Sequence, residues 1–137
     1  MGRIIDLETK KTITNSSLII YCQKKYESTF NAVSIGIEVA SELKKVPYKN
    51  RTLKIESVLS ETIKRHSSNT IFSDLDVLFN PCYEIDVVAL LVELRKNNSF
   101  EIIWPGIIQD DNLVYSEPQY KDYKKYDINK YDILCVI

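Results

Sequence analysis

The sequence predicts an α/β domain in three layers, a mainly parallel sheet covered by helices on both faces, with a β-hairpin near the C-terminus. Short apolar runs of strand length, at residues 18–22, 70–72, 100–104 and 132–137, carry the first half of that reading. Between them lie stretches whose apolar residues recur at helical spacing, and strands alternating with helices imply parallel pairing. Pro105-Gly106, followed by Asp110-Asp111-Asn112 between two apolar runs, marks the hairpin. At 137 residues, 45% hydrophobic and 27% charged, the chain is long enough to bury one core, so residues 1–137 are read as a single α/β domain.

In chain order, Thr14-Asn15-Ser16-Ser17 suggests a turn ahead of the apolar strand at 18–22, and residues 23–28 form a polar break. From Ala32 the pattern turns helical, with Ile35, Val39, Ala40, Leu43 and Val46 on one face until Pro47 stops it. Ile55, Val58, Leu59, Thr62 and Ile63 mark a second amphipathic helix that fades at Ser67-Ser68-Asn69. A strand starts at Thr70 and runs into the acidic stretch around Asp74 and Asp76, the apolar Val77-Leu78-Phe79 follows, and Asn80-Pro81 turns the chain. Asp86 is a good N-cap for a third helix, whose apolar residues Val87, Leu90, Leu91 and Leu94 are widened by Val88, Ala89 and Val92 into a well-buried element. Residues 100–104 and 132–137 complete the strands, the last of them either central or at an edge.

Composition excludes several classes of function. A formal net charge of -1 supplies no bulk positive field for nucleic acid or an anionic membrane. No segment approaches the roughly 18 apolar residues of a membrane span. The first eleven residues mix charges around Ile4-Ile5 and do not resemble a signal-peptide core, so a cytoplasmic location is expected. Cys22, Cys82 and Cys135, an odd number each in or beside an apolar run, read as buried reduced thiols.

Several landmarks carry a family resemblance by their order and spacing: Ser34-Ile35-Gly36-Ile37-Glu38, Pro47, Asp76-Val77-Leu78-Phe79-Asn80-Pro81, Leu90-Leu91, Trp104-Pro105-Gly106, and Leu113-Val114-Tyr115-Ser116-Glu117-Pro118 with Tyr123 beyond. From about Ser34 onward the chain resembles the BrxF family, small P-loop-containing subunits of the type 3 BREX systems that defend bacteria against phage. The resemblance implies a P-loop NTPase-like fold, in which a glycine-rich loop after the first strand wraps phosphates, a Lys neutralises them and a Ser or Thr holds magnesium. Here that segment reads Cys22-Gln23-Lys24-Lys25-Tyr26-Glu27-Ser28-Thr29 and contains no glycine, so the φ > 0 turns of such a loop are not readily reached. The nine residues from Gln23 to Asn31 are too few for loop plus helix. The family's magnesium-holding aspartate falls on Ser73, with Asp74 one step along and therefore on the opposite face of the strand. Lys24, Lys25, Ser28, Thr29, Ser73 and Asp74 are thus the remnants of a degenerate nucleotide site, and neither cofactor nor catalytic residue is expected.

The remaining signals are modest. His66, the sole histidine, sits at a polar helix end where a cation suits the helix C-terminus, and the acidic residues at strand ends suit turns better than a metal. Trp104-Pro105-Gly106 is either a rigid turn seating an aromatic in the core or part of a binding surface. Tyr115, Tyr120, Tyr123, Tyr126 and Tyr131 interleave with Lys121, Lys124, Lys125 and Lys130, a pattern that suits protein contact or base stacking. Asp122, Asp127 and Asp132 cancel most of that charge, so protein contact is preferred, with Trp104, Tyr115, Glu117, Tyr120, Tyr123 and Tyr126 as binding candidates. The expected function is a non-catalytic scaffold subunit of a BREX-like anti-phage complex, its partners being other subunits of that complex. Homo-oligomerisation is left open; a membrane, or nucleic acid on its own, is not an expected partner. The alternatives are an ATP-binding or ATPase subunit using an unorthodox loop around residues 24–29, and a nucleic-acid-binding accessory.

Overall fold

The computed structural model describes residues 2–13 and 17–137; Thr14, Asn15 and Ser16, read above as the start of a turn, lie outside the described residues. The strands are β1 (Arg3–Ile5), β2 (Leu18–Tyr21), β3 (Val33–Ser34), β4 (Thr70–Ser73), β5 (Phe100–Ile103), β6 (Ile107–Gln109), β7 (Asn112–Tyr115), β8 (Lys124–Asp127) and β9 (Ile133–Val136). The α-helices are α1 (Leu7–Thr12), α2 (Tyr26–Thr29), α3 (Gly36–Lys44), α4 (Arg51–Lys64) and α5 (Val87–Arg95). Six strands form one sheet in the order β1-β9-β2-β5-β4-β3, every pairing parallel. A smaller antiparallel sheet, β6-β7-β8, follows β5. The chain is therefore α/β, and among the described residues no helix is long and apolar enough to cross a membrane.

The centre of the large sheet follows from sequence. Leu18-Ile19-Ile20-Tyr21 and Ile133-Leu134-Cys135-Val136 are buried at every position, as strands covered on both faces must be. β9 lies between β1 and β2, with Arg3 opposite Leu134 and Leu18 opposite Ile133, so the last strand is interior. Its alternate residues feed two cores. The larger joins Leu18, Ile20, Ile133, Cys135, Phe72 and Ile102 to residues of α3, α4 and α5. The smaller gathers Ile19, Tyr21, Ile103, Leu134 and Val136 with Tyr26 under α1 and α2. Both faces are covered, but unequally: the long helices share one face, and among the described residues the other has only a six-residue and a four-residue helix.

Several expectations change. Residues 32–34 do not begin a helix: Val33 and Ser34 pair with Phe72 and Ser73, and Ile35 N–H donates to the Ser73 carbonyl, so helix α3 starts at Gly36. The polar break after β2 contains the single-turn α2. Val77-Leu78-Phe79 belongs to a 3₁₀ turn, Asp76–Phe79, that places Leu78 and Phe79 in the core. Cys22 and Cys135 are buried as expected, but Cys82 is exposed in the turn after Asn80, where the Tyr48 hydroxyl meets its sulfur at 2.5 Å. The Tyr/Lys segment is partly a strand, since β8 pairs with β7. Asp86 caps α5 as read, its Oδ1 accepting from Ala89 N–H at 2.9 Å.

Candidate functional site

In an open parallel sheet the loops leaving the carboxyl ends of the strands converge on one edge, and crevices for ligands form there. In this chain a cleft of about 470 Å³ occupies that position, bounded by Lys24 and Glu27 after β2, Ser34 ending β3, Ser73, Asp74 and Asp76 after β4, and Trp104-Pro105-Gly106 after β5. Asp74 has φ 61°, a left-handed conformation that an Asp tolerates better than most side chains. The turn folds its carboxylate back across the neighbouring strand, where Oδ2 accepts from Ser34 Oγ at 2.8 Å. Gly36 permits this, because a Cβ there would stand 2.8 Å from the Asp74 carbonyl oxygen and would also strike its carboxylate. Asp76 Oδ1 accepts from the Tyr115 hydroxyl at 2.8 Å, and the Tyr115 ring stacks on Phe79 with centroids 3.9 Å apart. Burial, then the hydrogen bond to Asp76, pushes the Tyr115 phenol well above its ordinary pKa.

In the segment after β2 four amides are spent locally: Tyr26 N–H donates to the Gln23 carbonyl, Glu27 to Lys24, Thr29 to Lys25 and Phe30 to Tyr26. Cys22 N–H continues the ladder to Val136, and the Thr29 hydroxyl turns back to the Lys25 carbonyl at 3.1 Å. Tyr26 is buried, stacks with Phe30 at 5.5 Å and donates from its hydroxyl to the Ile137 carbonyl, so the segment is a hydrophobic plug on the smaller core. Of the six remnant residues named from sequence, Lys24, Ser73 and Asp74 line the cleft. Lys25 instead lies over the Tyr26 ring, 5.4 Å from its centroid, and Ser28 and Thr29 are exposed outside the cleft. Glu27, Ser34 and Asp76 join the lining; Ser34 and Asp76 stand in landmarks readable from sequence, whereas nothing in the local pattern points to Glu27.

The six residues read as a partner surface divide between core and exterior. Trp104 is only 2% exposed, packs edge-on against Phe79 and Tyr126, and donates from Nε1 to the Val114 carbonyl at 3.0 Å. Tyr126 is 6% exposed and its hydroxyl accepts from Val87 N–H at 3.3 Å, so neither side chain offers surface to a partner. Burial pushes the Tyr126 phenol up to about 12. Tyr115 is half-buried in its contact with Asp76 and Phe79. Glu117 and Tyr120 are exposed, Tyr120 by 58%, and Tyr123 is half-buried beside them in sequence. His66 lies away from the cleft, its Nε2 at 3.0 Å from Glu38 Oε1 and its ring edge against Phe72. Among the described residues no three His, Cys, Asp or Glu side chains are grouped to hold a metal.

The fold and cleft define an open, parallel α/β domain with a polar crevice at the carboxyl ends of its strands. No family model, characterised protein or solved structure matches the chain.

Proposed function

We propose that this chain is a non-catalytic accessory subunit of a bacterial anti-phage defence complex of the BREX type, built on a P-loop NTPase-like scaffold that no longer holds nucleotide. The observation that carries the reading is the fate of the backbone after β2. A phosphate loop needs amides free to point at the anion, whereas here those of Tyr26, Glu27, Thr29 and Phe30 donate to carbonyls of the same segment. No glycine lies between Cys22 and Ala32 to open the turn. Lys24 remains at the cleft, but a lone ammonium facing Glu27, Asp74 and Asp76 favours no polyphosphate. The BREX assignment rests on the ordered landmarks from Ser34 to Tyr123.

Partner contact is assigned to the exposed part of the loop between β7 and β8, with Glu117, Tyr120 and Tyr123 as its contact residues. Tyr supplies large contact area at low entropic cost and is enriched among interface hot spots.

Calorimetric titration with Mg-ATP and Mg-ADP tests the nucleotide half: no heat is expected at millimolar nucleotide, and micromolar binding overturns it. Affinity capture of the tagged chain from its native host tests the partner half. Recovery of defence-system subunits, reduced by Tyr120→Ala, is expected, and a chain recovered alone counts against it.

A further inference from the structure

The larger core leaves one seam open to solvent. α4 enters that core through Ile55, Leu59 and Ile63, and α5 enters it through Val87, Val88, Leu91 and Leu94. Beside these residues, lined by both helices, lie cavities of about 480 Å³ and about 390 Å³, which share Leu53, Glu56 and Glu93 and so form one continuous trough. Its apolar surface comes from Leu53, 82% exposed, together with Ile85, exposed Ala89 and half-buried Leu90. Its charged lining comprises three carboxylates, Glu56, Asp86 and Glu93, against one ammonium, Lys64. Glu56 has no ion-pair or hydrogen-bond partner among the described residues. Glu93 meets Lys96 at 2.9 Å, but both side chains are more than 60% exposed, and such a pair is weak enough to exchange.

We propose that this trough docks a short amphipathic helix from another protein, one presenting aliphatic side chains along one face with lysine or arginine beside them. The form of the occupant follows from the walls. Two helices offer no unpaired ladder of N–H and C=O groups, so an incoming backbone must satisfy its own hydrogen bonds, as a helix does. Its length follows from α4, whose 14 residues span about 21 Å and match a partner helix of roughly four turns. Its charge follows from the carboxylates, which favour basic flanks and disfavour acidic ones. A second copy of this chain is a poor occupant, because a two-fold pairing of the trough with itself would bring together two linings that each carry three carboxylates against one ammonium. The proposal is independent of the reading of the cleft and of the β7–β8 loop, which belong to other elements, so either can fail alone.

The test uses the full chain and two labelled 14-residue helical peptides that carry leucine at i, i+3, i+4 and i+7. One has lysine flanks and the other glutamate flanks. The lysine peptide is expected to bind, to shift amide resonances of α4 and α5, and to lose affinity about tenfold on Leu53→Asp, the effect of removing one interface anchor. Glu56→Lys weakens it further at low salt, and the glutamate peptide binds at least about tenfold more weakly. Leu53 and Glu56 are exposed, so thermal unfolding of both variants checks that the fold is intact. Equal binding of the two peptides, binding that survives both substitutions, resonance shifts confined to other elements, or no binding at millimolar peptide each overturns the proposal. Sedimentation that finds a dimer dissolved by Leu53→Asp overturns it in favour of a second copy as the occupant.

Discussion

At the residue scale, Gly36 and Asp74 act as a pair. Asp74 turns the chain at positive φ, and its carbonyl and carboxylate close over the position where any other residue at 36 would carry a Cβ. Gly36→Ala is expected to cost about 1–3 kcal/mol, the usual range for overpacking, read as a lower urea midpoint at unchanged slope. Asp74→Ala in the same background should restore only part of that loss, because the backbone oxygen stays 2.8 Å from the new methyl group. Sequence reading found Gly36 as a landmark but not its reason, which is a contact made 38 residues away by a loop. The same limit applies to Trp104. Its place at a strand end is legible, while the choice between core and surface depends on the Val114 carbonyl that receives its indole N–H. Tyr115, Tyr126 and Tyr131 likewise read as surface aromatics, yet their hydroxyls bind Asp76, Val87 N–H and Asp86, fastening the small sheet and its flanking loop to the body of the domain.

At the scale of elements, the β6–β7 hairpin shows local chemistry predicting local structure. Gln109 pairs with Asn112, which leaves Asp110 and Asp111 as a two-residue turn with φ of 51° and 60°, the left-handed pair that matches strand twist. Asp111→Val should cost about 1–2 kcal/mol by forcing a β-branched residue into that region, whereas Asp111→Gly should cost nothing; thermal denaturation of the two variants checks this. The long periodic segment of α4 was legible from its length, and the short apolar runs of β2 and β9 from their β-branched content and polar flanks. The two residues of β3 were not, because pairing with Phe72 and Ser73, rather than any propensity of Val33-Ser34, makes them a strand. β1 and α1 were also missed: a three-residue strand and a six-residue helix carry too little pattern, and Arg3–Ile5 is ordered by β9.

Over the whole molecule, the tyrosines set a limit at high pH. Tyr21, Tyr115, Tyr126 and Tyr131 all have phenols raised above their ordinary range, Tyr126 to about 12, with burial the largest cause in each and a carboxylate partner adding to it for Tyr21, Tyr115 and Tyr131. A phenol whose folded pKa exceeds its unfolded value near 10 holds its proton longer in the native state. Stability from that source is complete below about pH 10 and is lost as pH climbs toward the folded values. Denaturant midpoints should therefore be level near pH 9 and fall between about pH 10 and pH 12. Absorbance at the phenolate band should rise late and together with unfolding. Tyr126→Phe should shallow the fall, and a midpoint unchanged up to pH 12 would contradict the assignment.

The strand order also sets a timetable for synthesis. β1 leaves the ribosome well before its pairing partner β9, with Arg3 opposite Leu134 and about 130 residues of chain between them. At roughly 5–20 residues per second, the nascent chain carries Leu18–Tyr21 without its β9 partner for several seconds to nearly half a minute. During that interval both β1 and one edge of β2 are available to any other extended segment. These two strands therefore complete their pairing only after β9 is made, and the yield in a cell depends on how well those edges are shielded until β9 arrives.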